Sequence, residues 1–246
     1  MFFKRKPSPG AALGSAPSSI EPSVIRAANL VVLKKAGFRV APNLPFADPR
    51  NPPVRPREEI VRRLASLEAL CLYVAAPPEK YPEGPLREMI EAHNLLGIMP
   101  AEERAIMAMG RDDAFAANKE AIGWRMENLV PLAWALGNET PPGIDGEMIG
   151  GDELDQILTE FSPRTAADCA AMLAGNTMRS AAEIVAMEDL FYGAHNAVRS
   201  AQFSDPKCVP RGFDPVAGGG VIHERRHALT WMTSPGTPWG DVDLST

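Results

Sequence analysis

The run His223-Glu224-Arg225-Arg226-His227 carries the sharpest chemical pattern in the chain. Read as H-E-x-x-H on a helix, it sets two imidazoles four residues apart on one face. There they can bind one Zn²⁺ while the glutamate serves as general base. Such a centre would make the protein a zinc-dependent hydrolase, with His223 and His227 as metal ligands. Three features oppose it. Both middle positions are arginine, and cations raise the electrostatic cost of a nearby divalent ion. No G-x-x-H follows to supply a third ligand. Only 19 residues remain downstream, which leaves Asp241, Asp243 or an upstream residue for that role. The competing reading makes Glu224, Arg225 and Arg226 ion-pair partners of neighbouring helices, with the histidines capping or hydrogen-bonding.

A second group is Glu68, Arg125, Glu127, Asn128 and Arg225 or Arg226, each beside or within an apolar helical stripe. Removing an isolated charge from water costs several kcal/mol, so these groups are expected to pair. One outcome is a buried network that fixes helix register. The other is a polar pocket near Arg125 and Arg226 that holds a carboxylate or phosphate. On that second outcome Arg125, Glu127, Glu224, Arg225 and Arg226 would be the ligand-binding residues. Trp124 and Trp134 lie ten residues apart, nearly three helical turns, and are expected to face one region as core packing. His195 reads as a partly buried structural residue. The Gly218-Gly219-Gly220 run precedes a helix but follows no strand, so it is a poor phosphate cradle. Neither G-x-x-x-x-G-K-[ST] nor G-x-S-x-G occurs.

Helices must position these residues. Ala and Leu dominate the apolar set, aromatics are only 7%, and the 24 prolines cluster between apolar runs as punctuation. The periodicity predicts a first helix over 22–36 with Val24, Ala28, Val31 and Val32 as its apolar stripe and Gly37 as its stop. A proline-rich extended segment follows, with Leu44 and Phe46 as its anchors to the core. A broad-faced helix spans 57–76, a shorter one 85–96, and another starts at Pro100. One long helix is expected over 113–137, kinked at Pro131. After a Gly/Pro-rich connector at 138–151, helices are expected at 152–160, from a Ser162-Pro163 cap to 175, over 180–203 and over 223–232.

The motifs Trp124-Arg125-Met126-Glu127, Leu132-Ala133-Trp134-Ala135-Leu136-Gly137 and Glu224-Arg225-Arg226-His227-Ala228-Leu229-Thr230-Trp231 occur in this order, before a Trp239-Gly240-Asp241 ending. With the Arg26–Gly37 helix and Leu44-Pro45, they make the chain resemble a bacterial family, the domain of unknown function family 4272 (DUF4272). The resemblance runs over roughly residues 20–246. It implies a helical fold and no activity, and it carries no catalytic residue across.

The chain is therefore expected to be all-α: a single globular domain of roughly eight to ten helices over 20–246, behind a disordered tail at 1–19. A single domain is favoured because the last helix carries charges that need partners from the first half. The net charge of −6 argues against nucleic acid as a partner, and no apolar run is long enough to span a membrane. Cys71, Cys169 and Cys208 form no C-x-x-C and suit a reducing, cytoplasmic setting. The leading functional expectation is a non-catalytic protein without cofactor that binds another protein. The zinc hydrolase and the small-anion binder are the alternatives.

Overall fold

The computed structural model describes residues 21–46, 53–161 and 163–246. The expected tail at 1–19, Pro49, Pro52 and the Ser162 cap lie outside these residues. The described residues form eleven α-helices and three short 3₁₀ turns, with no strand among them.

Helix α1 (Pro22–Ala36) stops where glycine allows it. Gly37 adopts a left-handed conformation (φ 93°), and the Phe38 N–H bonds back to the Leu33 carbonyl at 2.9 Å. Next come α2 (Arg57–Ala75), α3 (Glu83–Ala92) and α4 (Ala101–Met107). The single long helix expected over 113–137 is instead three: α5 (Arg111–Asn118), α6 (Ile122–Met126) and α7 (Leu129–Ala135). Pro131 supplies the reason for the second break. Its ring opposes the carbonyl one turn back, at Glu127, and it has no N–H to offer. The chain turns at Glu127 and Asn128, which leaves Pro131 third in α7, where no intrahelical acceptor exists for an N–H.

Helices α8 (Gly151–Glu160) and α9 (Ala166–Ala174) follow the connector. The cap of α9 is Thr165, which forms a capping box with Asp168. Ser180 and Glu183 make the same box at the start of α10 (Ala181–Phe203). The last helix, α11 (Ala217–Met232), begins six residues before the expected His223 and takes in the three glycines.

Helix α2 is the innermost element. Between Ile60 and Val74 every residue but Arg62 is buried, and α3, α4, α5, α6, α7 and α9 all pack on it. Helix α10 carries α1 on one side and α11 on the other, and α11 reaches α6 and α7. One continuous cluster of buried apolar side chains runs from Ile25 in α1 to Trp239 beyond α11. Phe46, an expected anchor, is exposed instead; its ring lies 5.3 Å from the Arg26 guanidinium.

Candidate functional site

Five consecutive residues on a helix point to all its sides, and residues 223–227 of α11 divide accordingly. Arg225 and Arg226 turn inward and are buried, Glu224 and His227 are half-buried, and His223 is exposed. Arg225 grips the fully buried Glu127 through Nε at 2.9 Å and donates to the carbonyls of Gly143 (2.8 Å) and Glu147 (2.9 Å). The other oxygen of Glu127 accepts the Ile149 N–H at 2.8 Å. This pair clamps the 138–151 connector to α11. Arg226 donates to His195 Nδ1 (2.7 Å) and to the Leu244 carbonyl (2.9 Å), and its guanidinium lies over the Tyr192 ring. It ties the C-terminal segment to α10.

These contacts fix the histidines' states. Arginine only donates, so His195 accepts at Nδ1 and carries its proton on Nε2. Burial, together with the Arg226 charge, holds its pKa down at about 3. His227 Nε2 lies 3.0 Å from the Trp239 carbonyl oxygen, an acceptor, so that nitrogen bears the proton. Burial lowers the His227 pKa to about 4. The His223 ring packs edge-on against His195. His223 and His227 do share one cavity wall, as their spacing requires. The zinc reading nonetheless lacks a ligand set. His227 Nε2 is engaged by Trp239, Asp241 and Asp243 are exposed, and no group of three or more His, Cys, Asp or Glu among the described residues is arranged to hold a metal.

The cavity holds about 720 Å³. Helix α2 contributes Arg63, α4 Glu102 and Glu103, α6 Trp124 and Arg125, and α11 His223, Glu224 and His227; Asn128 and Trp239 are also on its wall. Arg63 and Glu103 form a two-pronged ion pair, both bonds 2.7 Å, with both side chains at most 1% exposed. The Trp239 ring lies 3.8 Å from the Arg63 guanidinium carbon. Arg125 donates to Glu103 at 3.1 Å and to Glu102 at 2.9 Å. The two arginines are thus matched by two glutamates, and Glu224 is the carboxylate on the wall without an ion pair among the described residues.

Asn128 donates through Nδ2 to Glu224 at 2.7 Å. An ionised carboxylate only accepts, so this contact fixes the amide's orientation. Asn128 Oδ1 and Arg63 Nε are buried and have no hydrogen-bond partner among the described residues. Trp124 lies across Gly220, where a Cβ would come within 2.7 Å of the indole. The glycine run thus admits close neighbours instead of cradling phosphate. Trp134, expected to share a region with Trp124, packs in the core under Arg179; the break before α7 removes their common helical phase. On the far side of Arg63 and Trp239 lies a hollow of about 460 Å³. Its Arg55 is spent on the carbonyls of Trp231 and Ser234, both at 2.7 Å, and of Thr237.

Of the residues singled out from sequence, the fold brings Arg125, Asn128, His223, Glu224 and His227 to the cavity. It sends Glu127, Arg225 and Arg226 to the two clamps, and Glu68 is buried in α2 and does not line the cavity. Sequence reasoning passed over Arg63, Glu102 and Glu103. Two were visible by the argument that flagged Glu68. Arg63 stands three residues after Ile60 and four before Leu67 in an apolar row, and Glu103 stands three before Ile106.

No helix among the described residues is long and apolar enough to cross a membrane. Comparison with curated proteins gives no match, and neither does comparison with solved structures. The family model described as domain of unknown function (DUF4272) matches residues 26–242, and the chain belongs to that family.

Proposed function

We propose that the protein is a non-catalytic binding protein whose cavity between α2, α4, α6 and α11 receives a small organic cation rich in N–H donors. The pairing of Asn128 with Glu224 carries this reading. It leaves an acceptor oxygen without a donor and a carboxylate without a countercharge on one wall, beside the indoles of Trp124 and Trp239. A buried acceptor left unpaired costs about 1–3 kcal/mol, which a ligand N–H recovers. Indole faces attract cations as well, and that of Trp239 already holds the Arg63 guanidinium, which leaves Trp124 for the ligand. The volume lies within the usual range for small-molecule sites. The matched arginines argue against the anionic ligand considered from sequence: Glu102 and Glu103 balance the charges of Arg63 and Arg125, and the one N–H left over, Arg63 Nε, carries no uncompensated charge. No serine, threonine, cysteine or lysine among the described residues lines the cavity, and Cys71, outside the lining, is buried with its thiol raised well above the usual range. Three unpaired cysteines support a reducing, cytoplasmic setting.

Isothermal titration with agmatine, which joins a guanidinium to an ammonium, tests the proposal against citrate. Agmatine is expected to bind, and Glu224→Gln or Asn128→Ala to weaken it about tenfold, the loss of one charge-assisted contact. Binding of citrate in its place would restore the anion reading. Binding of neither would remove the cavity as a ligand site.

A further inference from the structure

Helix α1 buries Arg26 and Asn29 together with Ile25 and Leu33. Arg26 donates through Nε to Asp189 at 2.8 Å and to the Leu44 and Pro45 carbonyls at 3.1 and 3.0 Å. Asn29 donates to Asp189 at 2.9 Å and to the Ala186 carbonyl at 2.8 Å. Asp189 is itself buried, so these contacts fix the rotation of α1 about its axis; turning the helix to bury its valines would strand a charged group. Of the stripe expected to face the core, Val32 packs on it half-buried, while Val24, Ala28 and Val31 face outward. Val24 is 58% and Val31 68% exposed, and Ala27 and Ala28 between them are exposed too.

Six of the outward residues form a seam with an internal symmetry, which Leu30 and Lys35, also exposed, flank. Positions 24, 27, 28 and 31 follow helical spacing, and Glu21 and Lys34, both exposed, extend the same line by one step at each end. Read from either end the seam runs charge, valine, alanine, alanine, valine, charge, and the two charges are opposite. A second α1 laid antiparallel sets Val24 on Val31, Ala27 on Ala28 and Glu21 on Lys34, each contact occurring twice. Self-complementarity of this kind is what a two-fold interface requires. Two alanines at the crossing let the helix axes approach closely.

We infer that α1 pairs antiparallel with α1 of a second copy of this chain. One helix seam is smaller than the roughly 1,200 Å² of a stable interface, so the association is weak and concentration-dependent. Sedimentation equilibrium on the full chain, loaded from roughly 10 to 500 µM, reads it directly. The average mass is expected to rise toward that of a dimer, and Val31→Glu to hold it at the monomer. Glu21→Lys and Lys34→Glu singly each turn two attractions into repulsions and weaken association about tenfold. The double variant Glu21→Lys/Lys34→Glu restores it, because opposite charges meet again in the antiparallel register. The substituted side chains are exposed, and circular dichroism verifies that each variant is folded. A monomer at every loading overturns the inference and leaves the seam to a different protein or to the chain's own first residues. A dimer indifferent to Val31→Glu overturns it as well. A double variant no better than the singles overturns the antiparallel register.

Discussion

Arg225 on the buried side of α11 and Glu224 on its cavity side handle charge differently. On the buried side, the Arg225 guanidinium meets the Glu127 carboxylate and two backbone carbonyls, and both carboxylate oxygens are used. On the cavity side, Asn128 keeps an acceptor without a donor, and Glu224 keeps a charge without a countercharge. A saturated network holds the fold together and has nothing left for a ligand. An unsaturated one on a cavity wall stabilises the protein less and, on the function proposed above, is what a ligand would complete.

That contrast breaks most sharply at Arg225. Arg225→Met leaves Glu127 as a buried charge without its partner and frees the 138–151 connector, at an expected cost of about 3–5 kcal/mol. Urea denaturation measures it. The double change Arg225→Met/Glu127→Leu should recover much of the loss, since paired apolar replacements remove the stranded charge.

Acid acts next, through the histidines beside the clamps. His195 and His227 are neutral in the fold, at about 3 and about 4, but protonate near 6.5 once unfolded. Between pH 6.5 and about 4 the unfolded chain therefore binds more protons, so stability falls as pH falls. The slope is at most about 1.4 kcal/mol per pH unit for each histidine. His195→Gln keeps an acceptor for Arg226 and takes up no proton. It should flatten the curve of urea midpoint against pH, and an unchanged slope would refute the assignment.

The smallest stability effect is expected at the cavity. Asn128→Ala removes one hydrogen bond to a half-buried carboxylate that water can solvate, so its cost should stay within about 1 kcal/mol. A loss as large as that of Arg225→Met would move Asn128 among the clamps and remove the basis for the ligand.

Much of the fold was legible before the structure. The bounds of α1 and the Ser180 start of α10 follow from prolines, a glycine and a capping box. The break in 113–137 was foreshadowed by Pro131, but a proline can kink a helix or end it. Burial of the turn at Glu127 and Asn128 decided between them. Half of the cavity was legible too, because Arg125 and Glu224 stand out as charges near apolar rows. Their grouping with Glu127, Arg225 and Arg226 was too broad, since adjacent helical residues point to different neighbours.

Helix α1 marks the boundary between the two kinds of information. Its sequence by itself determined that a helix forms, where it stops, and that it has an apolar stripe, because those depend on residues within a turn of one another. Which face is buried was decided by Asp189, 163 residues away from Arg26. The same holds for Arg63 with Glu103, 40 residues apart, and Arg225 with Glu127, 98 apart. A charge must find a countercharge when it leaves water, but every arginine attracts every carboxylate alike. Only the packed arrangement of helices decides which pairs meet.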